Sequence, residues 1–283
     1  MTGNTVVSKA AGTPGSVTGE GTARAGEGLN NPTTNSSGVT TWDCIYFGNY
    51  WQGDTIGDSR TDKNDAKRPV KWRVLSVNGD DVFLLADRNL ECLEYNGTDT
   101  GVTWETCTVR SWLNGYGEEQ NKEEKDYRQN SFINHAFTPE ERSAIRTTNV
   151  VNKDNPEYGT EGGNDTADQV YLLSINEVTN PAYGFSPDSN QYAKSREAKN
   201  TEYAKGREAW ASTGSEYAGN GFWWLRSPGC SSRNASYVND YGSVVYHGNF
   251  VGFSGNVVRP ALHLSLSAVS SWSYAGTITS EKF

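Results

Sequence analysis

The chain has 283 residues, with 34 Asp and Glu against 25 Lys and Arg, giving a formal charge of −9 and no Lys/Arg run; this disfavours a phosphate-backbone partner, and so a nucleic acid. No apolar run reaches membrane-spanning length, so direct membrane insertion is not expected, and no charged-then-apolar leader opens at Met1. The length can bury a full core as one large or two small domains, and 15 Tyr and 9 Trp against one Met suit rigid extracellular contact better than a plastic, Met-lined groove.

Residues 1–41 are Gly, Thr, Ser, Ala and Asn with almost no large apolar side chain. Such a composition does not offset chain entropy and reads as a flexible linker. Opening at Met1 on this text, the chain is expected to be a fragment whose targeting segment lies elsewhere. Order is expected from Trp42, where WDCIYFGNYWQ has the alternation of a strand and is placed near the terminal VRPALHL strand. Residues 54–65 (DTIGDSRTDKND) put Asp at loop positions one, five, nine and twelve, an echo of a calcium loop. Position three is Ile56, the sharp-turn Gly at six is Ser59, and Asp65 is short for the twelfth ligand, so a solvated acidic loop without metal is expected.

Residues 70–77 and 82–86 flank Asn78-Gly79 as a hairpin, because Asn-Gly tolerates positive φ and both arms are rich in β-formers. Residues 108–114 (TVRSWLN) read as a short helix stopped by Gly115. A charged, mobile excursion over 117–130 follows. Thr138-Pro139-Glu140-Glu141 is a capping box with Pro at the first helical position, starting a helix over 139–146. Residues 152–168 form a long Gly/Asn/Asp loop, and 169–175 (QVYLLSI) a buried strand, after which Ser174 and Glu177 cap a turn of helix before Pro181. Residues 195–210 are helix-prone and charged, an exposed helix over one edge. No repeat recurs at solenoid periods. The pattern is α+β: one domain over 42–266 with two short helices and a loop-rich, twisted antiparallel sheet, then a C-terminal tail over 267–283.

Little in the chain points to catalysis. Cys44, Cys92, Cys107 and Cys230 have no CxxC spacing and no neighbouring His cluster, so no zinc is expected. Cys92 and Cys107 bracket a short polar loop, either as a disulfide or as two buried free thiols. His135 lies among apolar residues as a satisfied core histidine, and His263 faces away from Leu262 and Leu264 on the last strand. His247 has nothing at triad spacing, and no motif places a carboxylate pair. The chain therefore reads as no enzyme and as needing no cofactor.

Residues 221–266 stand apart. Phe222-Trp223-Trp224-Leu225 opens the stretch and Val257-Val258-Arg259-Pro260-Ala261-Leu262 closes it, both rigid, whereas 230–256 is mostly Ser, Asn, Tyr, Gly and His. Tyr offers large contact area at low entropy cost, and Ser, Gly and Asn offer adaptable hydrogen bonds, which is the composition of a paratope. A polar, glycine-rich run of hairpins is the plain alternative.

The ordered set WDCIYFGNYWQ, KWRVL with NGDDVFLLAD, RSWLN, QVYLLS, FWWLRSPG and VRPALHL resembles an uncharacterised family of bacterial surface-type proteins common among anaerobic gut bacteria, over 42–266. That family looks related to the C-type-lectin fold of formylglycine-generating enzymes and of the variable proteins of diversity-generating retroelements. In the latter, the segment before the final strand carries the diversified contact residues. The resemblance implies a cell-surface or extracellular binding protein. It places ligand contacts at Ser231, Ser232, Asn234, Tyr237, Asn239, Tyr241, Ser243, Tyr246, His247, Asn249, Phe250, Phe253 and Asn256, the types that adenine-directed mutagenesis of Asn codons yields. Val238, Val244 and Val251 would be scaffold. Formylglycine-generating enzymes use a cysteine pair late in the chain; here Cys230 stands alone there, so the resemblance extends to fold and not to that catalysis. The ligand is expected to be a protein or a cell-surface group. A glycan is the alternative, with Trp223, Trp224, Tyr241 and Tyr246 as stacking platforms, although the double Trp suits a core better. A structural stalk domain would lack the contrast between 230–256 and its flanks.

Overall fold

The computed structural model describes residues 28–190, 192–214 and 216–281. The strands in chain order are β1 (Thr33–Thr34), β2 (Thr40–Tyr50), β3 (Arg68–Asn78), β4 (Asp81–Ala86), β5 (Glu91–Cys92), β6 (Thr148–Val150) and β7 (Thr166–Asp168). They continue as β8 (Val170–Tyr171), β9 (Trp223–Pro228), β10 (Asn234–Val238), β11 (Val244–Phe250), β12 (Val257–Val258), β13 (Ala261–Ser265) and β14 (Ser273–Thr279). Five short helices intervene among the described residues: α1 (Thr108–Asn114), α2 (Phe132–Ala136), α3 (Pro139–Ala144), α4 (Ile175–Val178) and α5 (Glu202–Gly206). The architecture is α+β with mainly antiparallel sheets, and it has more helices than the two expected.

The larger sheet runs β1-β2-β3-β4-β13-β8, with β14 also on β2. In β2 the run TTWDCIYFGNY is covered on both faces, with Trp42, Ile45, Phe47 and Tyr50 each at most 1 % exposed. The β3–β4 hairpin turns at Gly79, whose φ of 60° belongs to the left-handed region, where a Cβ is strained. The second sheet runs β11-β10-β9-β12-β5, in which β9–β12 is the parallel step among the described strands. One continuous cluster of buried side chains, including Trp72, Trp104, Trp223 and Trp224, joins both sheets to the helices. β12 and β13, on either side of Arg259-Pro260, belong to different sheets, so the VRPALHL segment ties the layers together.

Local signals act as the sequence implies at two helices. α1 ends at Gly115 (φ 70°), whose N–H donates to Ser111 O. α3 begins at the reciprocal box of Thr138 and Glu141 but stops at Ala144, short of Arg146. Beyond it, Arg146 N–H donates to His263 O at 2.8 Å, a tertiary bond that replaces the last helical turn.

Several expectations are corrected. The boundaries at 42 and 266 are too narrow. β1 and β14 both pair with β2, and Asn30 donates to the Asp43 carboxylate from backbone and side chain. In the expected tail, Trp272 is 4 % exposed, an apolar anchor that composition over seventeen residues masks. Residues 1–27 of the expected linker lie outside the described residues. β2 does not lie beside the VRPALHL strand: β3 and β14 occupy its edges, and β13 pairs with β4 and β8.

The excursion over 117–130 is held in place by buried Asn121, whose amide donates to Lys125 O and whose carbonyl accepts Lys125 N–H. The loop 152–168 ends in β7, which pairs with β6, while the strand over 169–175 shortens to β8. The exposed helix over 195–210 is absent; only α5 forms. Arg196 is fully buried and donates to the carbonyls of Gly242, Ser186 and Asp188, which fixes 195–201 as an interior loop.

Candidate binding surface

The hairpin β10–β11 is built on a rigid floor. Trp223 and Trp224 are 0 % exposed; their indole N–H groups donate to Arg196 O at 3.1 Å and Leu93 O at 2.9 Å. The double Trp is therefore core, with no free face to stack on a sugar. Arg259, also buried, lies 4.9 Å over the Trp223 ring and donates to Ala86 O. Val238, Val244 and Val251 are buried, as scaffold positions should be. The hairpin turn is closed by Asn239, whose N–H donates to Ser243 O and whose side-chain oxygen accepts Ser243 N–H at 2.9 Å. Gly242 at φ 79° occupies the turn directly against the Ala193 carbonyl, where any Cβ would collide.

The thirteen residues singled out from sequence divide by exposure. Ser231, Ser232, His247, Phe250 and Phe253 are exposed, and Tyr237, Tyr241, Tyr246 and Asn249 are half-buried. Asn234, Asn239, Ser243 and Asn256 are buried and engaged inside the protein. Asn234 Oδ1 accepts from the Ser231 hydroxyl, Ser243 Oγ donates to Asn190 O, and Asn256 Oδ1 accepts from the Asn249 amide. These bonds hold the hairpin to its neighbouring loops, in keeping with the general engagement of buried polar groups. The four residues do not present a face to a ligand.

The outward residues fall into three neighbouring groups. Tyr241, Tyr246 and His247 line an open depression of about 400 Å³ together with Glu157, Tyr158, Asn190 and Tyr192. There Tyr192 and Tyr241 lie 4.6 Å apart between ring centroids, and Tyr158 meets His247 edge-on at 6.0 Å. Tyr237 packs at 5.5 Å on Phe222, which stacks at 4.0 Å on Trp210. Burial, with Tyr241 and Asp240 nearby, raises the Tyr237 phenol above its ordinary value, so it stays a neutral donor. Ser231, Ser232 and the turn joining Phe250 to Phe253 form the third group, beside Asp99, whose carboxylate pairs with Arg233.

Sequence reading missed Tyr158, Tyr192, Trp210 and Phe222, which lie outside 230–256 or were assigned to the frame. A signal existed for two of them. Tyr158 and Tyr192 are aromatic residues in Gly/Asn/Ser-rich loops, where no core explains a large ring, and they are 48 % and 70 % exposed.

All four cysteines are free thiols. Cys92 donates to Ser254 O and Cys107 to Trp104 O, so the two do not form a disulfide. Burial pushes Cys44, Cys92 and Cys107 each up to about 12, leaving them protonated and poor nucleophiles. His263 sits 3.0 Å from Asp81 and stacks on Phe83. His135 is half-buried rather than core: it accepts Trp51 edge-on and bonds Asn130, and burial with Lys63 and Lys67 lowers its pKa. In the acidic loop, Asp54 accepts three backbone N–H groups and Asp65 accepts Thr55 and Asp62 N–H, so these carboxylates order the loop. Among the described residues no group of three or more His, Cys, Asp or Glu is placed to hold a metal ion, and no helix is long and apolar enough to cross a membrane.

A family model described as "Domain of unknown function (DUF6273)" matches residues 79–266. The match opens in the β3–β4 turn, so β1 to β3 and β14 lie outside it while pairing into the same sheet. No curated protein and no solved structure matches the chain.

Proposed function

The chain belongs to the DUF6273 family, and within it we propose a non-catalytic, cell-surface binding module that presents the aromatic face of β10–β11 to a protein ligand. One observation carries this reading. Of the seven large apolar side chains that the described residues expose, Tyr158, Tyr192, Trp210, Phe250 and Phe253 are aromatic and all pack around this hairpin or its flanking loops. Rigid aromatic anchors of this kind dominate binding hot spots, and the polar groups beside them give orientation. The protonated thiols and the structural engagement of His135 and His263 support a role without catalysis. The sequence resemblance supports a C-type-lectin-like fold and kinship with variable proteins of diversity-generating retroelements, with four of the thirteen positions reassigned to structure.

A glycan is the second reading, favoured by the size of the tyrosine depression and by its Asn190 and Glu157 rim. One experiment separates the two. Fluorescently labelled protein is applied to intact bacterial and epithelial cells, untreated, protease-treated or periodate-oxidised. Protease-sensitive binding identifies a protein ligand and periodate-sensitive binding a glycan. Exchanging both Tyr192 and Tyr241 for Ser should abolish most of either. Equal binding by the double variant and the parent chain would remove the proposal.

A further inference from the structure

We propose a second binding site, for a compact carboxylate- or phosphate-bearing anion, in the cleft enclosed by β3, the loop after β2, the loop after β4 and the start of α5. The cleft has a volume of about 320 Å³, at the small end of the roughly 300–1,000 Å³ range of small-molecule sites. Arg68 and Lys71 border it from β3, and Arg88 from the loop that follows β4. Pro69 and Leu90 supply apolar wall between them.

The charge balance of this cleft is opposite to that of the chain. The protein carries −9 overall, yet among the described residues Arg68, Lys71 and Arg88 have no carboxylate within ion-pairing distance. The two acidic side chains of the lining are already matched elsewhere: Asp87 pairs with buried Arg73 at 2.7 Å, and Glu202 with Lys205 at 2.8 Å. Three positive charges thus border one open cleft. Of the three, Lys71 also acts on the wall itself. Burial alone would raise the Asp87 carboxyl, but Arg73, Lys71 and Arg259 hold it below the usual carboxylate range.

Like charges gathered in a concave, partly apolar space repel one another and concentrate a counter-ion. Guanidinium groups match the planar oxygens of carboxylate and phosphate, and a Lys adds a mobile point charge. No residue lines both this cleft and the tyrosine depression, so the two sites stand or fall separately.

The test is calorimetric titration and thermal melting of the full chain with inorganic phosphate, with glucuronate and with neutral glucose, at ionic strength held constant with chloride. Saturable binding of phosphate, of glucuronate or of both is expected, with none for glucose; which anion binds tells a phosphate ligand from an acidic sugar. Lys71→Gln and Arg88→Gln should each weaken that binding by about tenfold or more, as loss of a charge-assisted contact implies. Both residues are at least partly exposed, so the ligand-free melting temperature should stay at the parent value, which reports that the variants fold. Absence of binding by both anions, equal binding of glucose, or undiminished binding by both variants would overturn the site.

Discussion

The side-chain amide of Asn155 donates to the backbone carbonyl of Tyr246 at 2.8 Å, and also reaches Pro228 O. Its oxygen accepts the N–H groups of Glu157 and Tyr158. One buried amide therefore fixes the loop that supplies Tyr158 to the strand that supplies Tyr246 and His247. Asn155→Ala should cost about 1–3 kcal/mol in chemical denaturation, since it strands several buried backbone groups. It should also weaken ligand binding without touching a contact residue. A variant of parental stability would show that solvent satisfies those groups and that the loop is not held this way.

Substitutions along β9 to β13 should separate into two energetic classes. Trp223→Ala is expected to cost about 3–5 kcal/mol and Leu262→Ala about 2–5 kcal/mol, through lost burial and a residual cavity. His247→Ser, Phe250→Ser and Phe253→Ser should change stability by no more than about 0.5 kcal/mol, because these side chains are exposed. Asn239→Ala should behave like the frame: it removes the acceptor that closes the hairpin turn, at a cost of about 1–3 kcal/mol. A thermal-melt series reads all six. Equal losses in both classes would mean that the exposed aromatics are packed.

Stability should fall on the acid side through Asp87. Burial raises its carboxyl, but the Arg73 pair outweighs this and leaves the folded value below the ordinary one. A depressed folded value gives stability that is fully present above the unfolded value, near about pH 4, and is lost as pH falls toward the folded one. Asp87→Asn should flatten that limb in denaturation midpoints taken from neutral pH downward. It should also destabilise at neutral pH by about 3–5 kcal/mol, since it removes the carboxylate paired with buried Arg73 at 2.7 Å. Parallel acid limbs in the two proteins would assign the loss to other carboxylates.

Chelator should leave the melting temperature unchanged. A calcium ion held at about a hundred times its dissociation constant would add about 2.7 kcal/mol. The carboxylates of the acidic loop are instead engaged by backbone N–H groups. A drop of several degrees on adding chelator, restored by calcium, would reverse this.

Short-range grammar was legible. Asn78-Gly79, Gly115 and the Thr138–Glu141 box each specify a turn or terminus through a few neighbouring residues, and each stands where it was placed. The double Trp was legible as core because two large rings inside an apolar run have nowhere else to go. What failed was tertiary. A run such as SREAKNTEYAKGREAW has helical propensity, and nothing in it discloses that Arg196 will be drawn inside by carbonyls that lie outside the run. For the same reason composition separated 230–256 from its flanks but could not sort it. Asn234 and Asn249 look alike in sequence; one is buried under a serine hydroxyl and the other half-open. The rings of Tyr158 and Tyr192 come from loops remote in the chain, and only folding brings them to the hairpin.

Thr41 has Thr33 of β1 opposite it on one side and Thr279 of β14 on the other. The first and last described strands are thus two strand spacings apart, about 10 Å, a gap that a peptide bridge of about three or four residues can cross. Joining these ends and reopening the backbone at another loop should give a circular permutant with the same pairing. The domain could equally be spliced as a cassette into a host polypeptide. In either case mechanical load would enter at one corner of the larger sheet, through β1 and β14, and neither attachment would touch the layer that carries β10 and β11.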